Sequence, residues 1–132
     1  MRVLVCGGRN YDMTDEATHM WFTDHMEKIA FDRFPRLPED EYGNFLYDVT
    51  IIAGGARGID TMAIDWAVVN WCPFKEFPAD WNKYGKRAGY LRNKQMLEEG
   101  HPDLVVAFPG GKGTTMMVQI AEAAGVPVLK VE

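Results

Sequence analysis

Cysteine is scarce in this sequence. The two residues, Cys6 and Cys72, form no CxxC pair and suggest no disulfide framework. Histidine is equally thin: His19, His25 and His101 show neither HExxH spacing nor a cluster, so no metal site is expected. Long apolar runs are missing, and none approaches the ~20 residues that a membrane-crossing helix needs. The opening MRVLVCGG lacks a charged region followed by a long apolar stretch and a small-residue cleavage site. It reads as a first strand and not as a signal peptide. Positive charge is also short, with a formal net charge of -5 at pH 7. That disfavours broad nucleic-acid binding, which rests on basic surface neutralising phosphates. Together these absences predict a cytoplasmic protein with no membrane partner and with nucleic acid disfavoured as one, although Arg9, Arg57, Arg92 and Lys112 near glycine-rich turns leave room for a local basic site.

What is present is ordinary globular composition, 47% hydrophobic and 25% charged over 132 residues. That length suits one compact domain, residues 1–132, with one core. Five short apolar runs read as strands: Arg2–Cys6, Val49–Ala53, Phe74–Phe77, Leu104–Phe108 and Val126–Val131. The first, second and fourth are apolar almost throughout, which suits strands buried on both faces. Between them fall helical patterns. Thr14–Phe31 has a cap at Thr14 or Asp15 and apolar positions Ala17, Met20, Trp21 and Ile29; Ile59–Asn70, Lys86–Glu99 and Thr114–Ala124 follow. Strand and helix alternate, so the expected fold is a doubly wound α/β domain with a parallel sheet in the order 3-2-1-4-5. Residues 32–48 read as a polar surface loop.

Three turns after predicted strands are rich in glycine. They are Cys6-Gly7-Gly8-Arg9-Asn10, Ala53-Gly54-Gly55-Ala56-Arg57-Gly58 and Pro109-Gly110-Gly111-Lys112-Gly113-Thr114, the last followed by Thr115. In an open parallel sheet such turns lie at the carboxyl edge, and strands one and four flank the switch point where ligands bind. Glycine lets backbone N–H groups approach an anion with no Cβ in the way. A helix N-terminus adds unpaired donors and partial positive charge. A phosphate or a ribose is the expected guest; the bland alternative is that the glycines only make tight turns. The familiar phosphate fingerprints do not match. Val106 stands where the first glycine of a Walker A loop should be, and Gly113 follows Lys112 in place of Ser or Thr. A G-x-G-x-x-G begun at Gly111 and Gly113 reaches Met116.

The segment Pro109–Thr114 resembles the PGGxGT motif of the SLOG superfamily. That group includes the LOG phosphoribohydrolases and the DNA-processing protein Smf/DprA. With MRVLVCGGRNY, IIAGGARGID and FPADWNKYGKRAGYLRNKQM, the chain is similar to the small YspA/YpsA-related branch. The resemblance covers nearly everything but the first helix and the loop before strand two. It implies a Rossmann-like fold and a nucleotide-related ligand in the crevice, and it adds Arg92 and Asn93 to the ligand-facing set. LOG enzymes cleave the N-glycosidic bond of a nucleoside monophosphate, and their motif continues PGGxGTxxE. Here Met117 occupies the glutamate position. A thioether cannot do a carboxylate's proton chemistry.

Other candidates stay open at this level. Arg92 shares a helical face with Gly89 and Met96 and either clamps a phosphate or meets solvent. Asp60 either binds ribose hydroxyls or favours a helix N-terminus. Asp80 acts as a base, binds a hydroxyl or forms a turn. Trp81 and Tyr84 either stack on a base or cover the core edge. Arg9, Asn10, Arg57 and Lys112 either face the crevice or solvent.

The expected function is binding of a nucleotide-like small molecule, an NAD- or ADP-ribose-like species included, by a sensor, carrier or sequestering module. The alternative is a LOG-like nucleoside 5'-monophosphate phosphoribohydrolase with a relocated catalytic carboxylate, at Asp60, Asp80 or Glu122. DNA handling comes third. No cofactor is expected, and helices rich in tryptophan and methionine are compatible with a homodimer.

Overall fold

The computed structural model describes residues 1–132. Its elements in chain order are β1 (Arg2–Cys6), α1 (Glu16–Arg33), β2 (Thr50–Ala53), α2 (Ile59–Val69), β3 (Phe74–Glu76) and α3 (Trp81–Tyr84). After a 3₁₀ turn at Gly85–Arg87 come α4 (Ala88–Gly100), β4 (Leu104–Ala107), α5 (Lys112–Ala123) and β5 (Val128–Lys130). The five strands form one parallel sheet in the order β3-β2-β1-β4-β5. This is the Rossmann-like, doubly wound α/β arrangement that the strand–helix alternation predicts.

The period-two rule of a strand divides the core in two. Val3 and Val5 of β1, Ile51 and Ala53 of β2, and Leu104 and Val106 of β4 face α1 and α2. Their neighbours Leu4, Cys6, Ile52, Val105 and Ala107 face α4 and α5, where Met96, Met117, Val118 and Ala121 meet them. Strand β1 pairs with β2 on one side and β4 on the other. The chain winds outward from β1 in both directions, so the β1–β4 boundary is the switch point.

Several sequence expectations shift. The buried stripe of α1 is Phe22, Met26, Ile29 and Ala30, at i, i+4, i+7 and i+8. Met20 is exposed and Trp21 half-buried, so the apolar positions Ala17 and Met20 do not carry the packing. Thr14 bonds Asp12 instead of capping α1. Asp15 holds the cap position, but its carboxylate takes the Thr18 hydroxyl at 2.9 Å and no helix N–H.

The helix expected over Lys86–Glu99 opens with the 3₁₀ turn and becomes α-helical only at Ala88. Gly85, the C-cap of α3 with φ 57°, separates α3 from the 3₁₀ turn and α4. Helix α5 begins at Lys112, two residues before the expected Thr114. Helix α1 runs through Arg33, two residues into the expected loop, and residues 34–48 form an irregular excursion closed by an antiparallel bridge from Arg36 to Tyr47. The Arg36 guanidinium lies over Phe31 and Phe45 at 4.7 and 4.2 Å. No helix is long and apolar enough to cross a membrane.

Candidate functional site

The carboxyl ends of β1, β2 and β4 open on one crevice of about 300 Å³. Its walls come from all three glycine-rich turns and from α4. Gly7, Gly8, Arg9 and Asn10 form one side; Ala56 and Asp60 belong to the second turn and the start of α2. Gly111, Lys112, Gly113 and Thr114 form the side opposite. The floor is Cys6, Met96 and Met117. Met117, the residue at the LOG glutamate position, is fully buried against the sheet with its thioether under the crevice.

The turn after β4 is held by its neighbour. Gly8 donates its N–H to the Pro109 carbonyl at 3.0 Å, and the Tyr11 hydroxyl donates to the same oxygen at 2.7 Å. Tyr11 stacks on Trp21 with ring centroids 5.6 Å apart, and partial burial raises its pKa. Nothing in the glycine pattern marks Tyr11, and sequence reasoning missed it.

The glycines of these turns divide into two kinds. A Cβ on Gly7 would lie 2.5 Å from Ile59 Cγ1, so that glycine lets α2 pack against β1. A Cβ on Gly110 would collide with Thr114 Oγ1 and lie 2.7 Å from the Gly8 nitrogen. A Cβ on Gly111 or Gly113 would meet nothing within 4 Å. Neither is needed for internal packing, and both line the crevice. Gly111 is the cap residue of α5, with no side-chain cap bond, and its carbonyl accepts the first bond at 3.1 Å from Thr115 N. The N–H groups of Lys112, Gly113 and Thr114 lie ahead of that bond, where a helix leaves its donors open. These donors and the dipole of α5 make an anion-favouring end beside the cavity.

Two buried polar residues of α4 face this end. Arg92 is 8% exposed, and Asn93 is 6% exposed. Arg92 Nε donates to Asn93 Oδ1 at 3.0 Å, and Nη1 donates to the Gly54 carbonyl. Asn93 Nδ2 donates to the Gly113 carbonyl at 3.1 Å. The Arg-Asn pair therefore bridges the turn after β2 to the start of α5. Burial lowers the Arg92 pKa, while the Asp60 charge opposes this and the Arg9 charge adds to it. The place beside Gly89 is filled by the Trp81 ring, 3.4 Å from where a Cβ would stand, so it gives a ligand no room.

Asp60 opens α2 after Gly58, whose φ of 78° suits glycine. Its Oδ2 accepts the Ala56 N–H at 3.1 Å. Burial raises its pKa; the Ala56 N–H and the charges of Arg92 and Arg9 pull it down, and Glu76 pushes it up. Cys6 below it is pushed up to about 12, by burial first and then by the Asp60 charge. A neutral, buried thiol is no nucleophile at physiological pH.

The other nominated residues lie outside the cavity wall. Gly54, Gly55, Gly58, Pro109 and Gly110 form the turns behind it, and Arg57 and Thr115 are exposed. Thr115 Oγ1 turns back to the Gly111 carbonyl at 3.2 Å. Asp80 caps α3 by accepting Lys83 N–H at 3.0 Å, as a turn-forming aspartate does. Glu122 sits near the end of α5 beside Lys130 Nζ at 3.6 Å. Of the three candidate carboxylates, only Asp60 reaches the crevice. Arg9 instead lies over the Trp81 ring at 5.4 Å, at the crevice mouth.

The sequence model of the YspA, cpYpsA-related SLOG family matches residues 39–84, from the loop before β2 to the end of α3. The chain is also 38% identical over 100 residues to the Gene 61 protein of Mycobacterium phage D29, covering 68% of this chain and 77% of that protein. The chain belongs to the YspA, cpYpsA-related SLOG family. The matched SLOG segment carries the turn after β2, Asp60 and the cap of α3. The turn at the start of α5 and the Arg-Asn pair, which complete the crevice in this SLOG chain, lie beyond it.

Proposed function

We propose that this chain binds a nucleotide-related small molecule in the crevice and serves as a sensor, carrier or sequestering module. The phosphate rests on the open N–H groups at the start of α5, with Lys112 and Arg92 supplying charge. The ribose lies toward Asp60, whose carboxylate accepts its hydroxyls. NAD- or ADP-ribose-like species have the required groups. One observation carries this reading: Gly111 and Gly113 have no packing role, yet leave backbone donors bare at a helix N-terminus. SLOG membership supports the same class of ligand.

Binding without cleavage is favoured by Met117, a fully buried thioether under the crevice with no proton to give or take. Asp60 favours a second reading, a LOG-like phosphoribohydrolase, because it alone brings a carboxylate with a raised pKa to the cavity. Mass spectrometry of small molecules carried through purification tests the first reading, which expects a phosphorylated ribose compound at near-stoichiometric amount. An assay of free-base release from AMP, GMP, CMP and UMP separates the two. Multiple-turnover release by the unmodified protein would overturn the binding reading in favour of the hydrolase.

A further inference from the structure

The crevice has a neighbour that shares one of its walls. A second groove, of about 410 Å³, lies between α4 and the segment from Pro78 to Arg87. From α4 it takes Ala88, Leu91, Arg92 and Gln95, at i, i+3, i+4 and i+7 on one stripe of the helix. The crevice takes Arg92, Asn93 and Met96 from the adjoining stripe. Arg92 belongs to both. Its Nε and Nη1 bond within the protein, and Nη2 has no protein partner.

Packing explains only part of the segment facing α4, where the Trp81 ring covers Gly89. Neither α3 nor the 3₁₀ turn has a buried residue, yet they present Trp81 and Tyr84, 47% and 42% exposed. Between Asp80 and Glu98 the chain carries Lys83, Lys86, Arg87, Arg92 and Lys94 and no carboxylate, in a protein of net charge -5. The groove itself offers a phenol ring at Tyr84, apolar surface at Pro78 and Leu91, and polar groups at Asp80, Arg87 and Gln95. Asp80 Oδ1 takes the Lys83 N–H, which leaves Oδ2 free. An aromatic residue set among both donors and acceptors suits a heteroaromatic base, whose faces stack and whose edge carries both kinds of group.

We propose that this groove is a base subsite, so that one ligand spans Arg92, its phosphate at the start of α5 and its base against Tyr84 within reach of Asp80 and Gln95. The inference rests on the crevice being the phosphate and ribose site. Its test is titration of ribose 5-phosphate, AMP, GMP, CMP and UMP into the wild type and into Tyr84→Ala and Tyr84→Phe. Tyr84 is exposed, so neither change removes core.

At least one nucleotide should bind the wild type about tenfold or more tightly than ribose 5-phosphate, the scale of one base–aromatic stack. Tyr84→Ala should remove that advantage and leave ribose 5-phosphate unaffected, and Tyr84→Phe should restore it. Equal binding of ribose 5-phosphate and every nucleotide would overturn the subsite and leave the crevice reading standing. So would a nucleotide preference that survives Tyr84→Ala, or a loss that is equal for both ligands. Failure of every probe to bind the wild type would overturn both.

Discussion

The Tyr11 hydroxyl donates a 2.7 Å hydrogen bond to the Pro109 carbonyl, joining the turn after β1 to the turn after β4 across the switch point of the sheet. The same oxygen accepts the Gly8 N–H at 3.0 Å. The two crevice walls are thus fastened to each other, and the start of α5 is held in place before any ligand arrives. Tyr11→Phe keeps the ring that stacks on Trp21 and removes only the bond. The expected loss of stability is about 0.5–1.5 kcal/mol, with a several-fold loss of nucleotide affinity. Chemical denaturation and titration of the same variant check both.

Gly110 and Gly111 are adjacent, but alanine should affect them differently. At Gly110 the new Cβ meets Thr114 Oγ1 and the backbone of Gly7 and Gly8, so the turn must shift. A loss of about 1–3 kcal/mol is expected, the usual cost of overpacking. At Gly111 the Cβ meets nothing, and φ of -94° suits any residue. Melting temperatures should therefore fall clearly for Gly110→Ala and only slightly for Gly111→Ala, which exchanges a favourable helix cap for a poor one.

Arg92→Ala should lower nucleotide affinity about ten- to a hundred-fold, the range for losing a charge-assisted bond of roughly 1.5–3 kcal/mol. It should also destabilise the fold, because the Gly54 carbonyl and Asn93 Oδ1 lose their donor. Arg92→Lys keeps a charge without the planar fork and should recover only part of the affinity. Titration beside thermal melts separates the binding effect from the structural one.

Asp60 gives a pH dependence with a definite sign. Its pKa is raised in the fold above the ordinary value of 3.8. Between the unfolded and folded values the native state holds more protons, so this carboxyl's contribution to stability falls as pH rises through that window. Asp60→Asn retains an oxygen for the Ala56 N–H and cannot ionise. The wild type should lose stability relative to Asp60→Asn as pH climbs from about 4 through the raised pKa. Denaturation curves of both proteins across that range check it, and parallel profiles would contradict it.

The strand order was legible because apolar runs and helical patterns alternate cleanly, and the three glycine turns were legible because each follows such a run. Side-chain reach was not. Asp80 and Glu122 looked equivalent to Asp60 in the sequence, yet one caps α3 and the other pairs with Lys130. Only the folded chain shows that Asp80 is committed to this local cap, that Glu122 meets the last strand, and that Asp60 alone faces the crevice. The stripe of α1 is not legible because Met20 and Phe22 are both apolar and only packing against Phe108 and the sheet chooses Phe22. The Arg92–Asn93 bridge needed tertiary contact to appear, since its partners Gly54 and Gly113 lie far away in sequence.

Met117→Glu would put a carboxylate under the crevice at the position of the LOG glutamate. The buried site should resist it, lowering the melting temperature and raising the new carboxyl's pKa. At most a trace of free-base release from nucleoside monophosphates is expected, because catalysis also needs accurate positioning of the ribose. Chromatographic detection of free base beside an unmodified control checks this.

The central claim is that the bare backbone at the start of α5 holds a phosphate. Calorimetric titration of a nucleotide into the wild type and into Gly111→Val tests it most directly, because the valine side chain enters open space at the anion's place. The account predicts wild-type binding and an affinity at least about tenfold weaker in Gly111→Val, with only a modest fall in melting temperature from the poorer cap of α5. Equal affinity in the two folded proteins would contradict it.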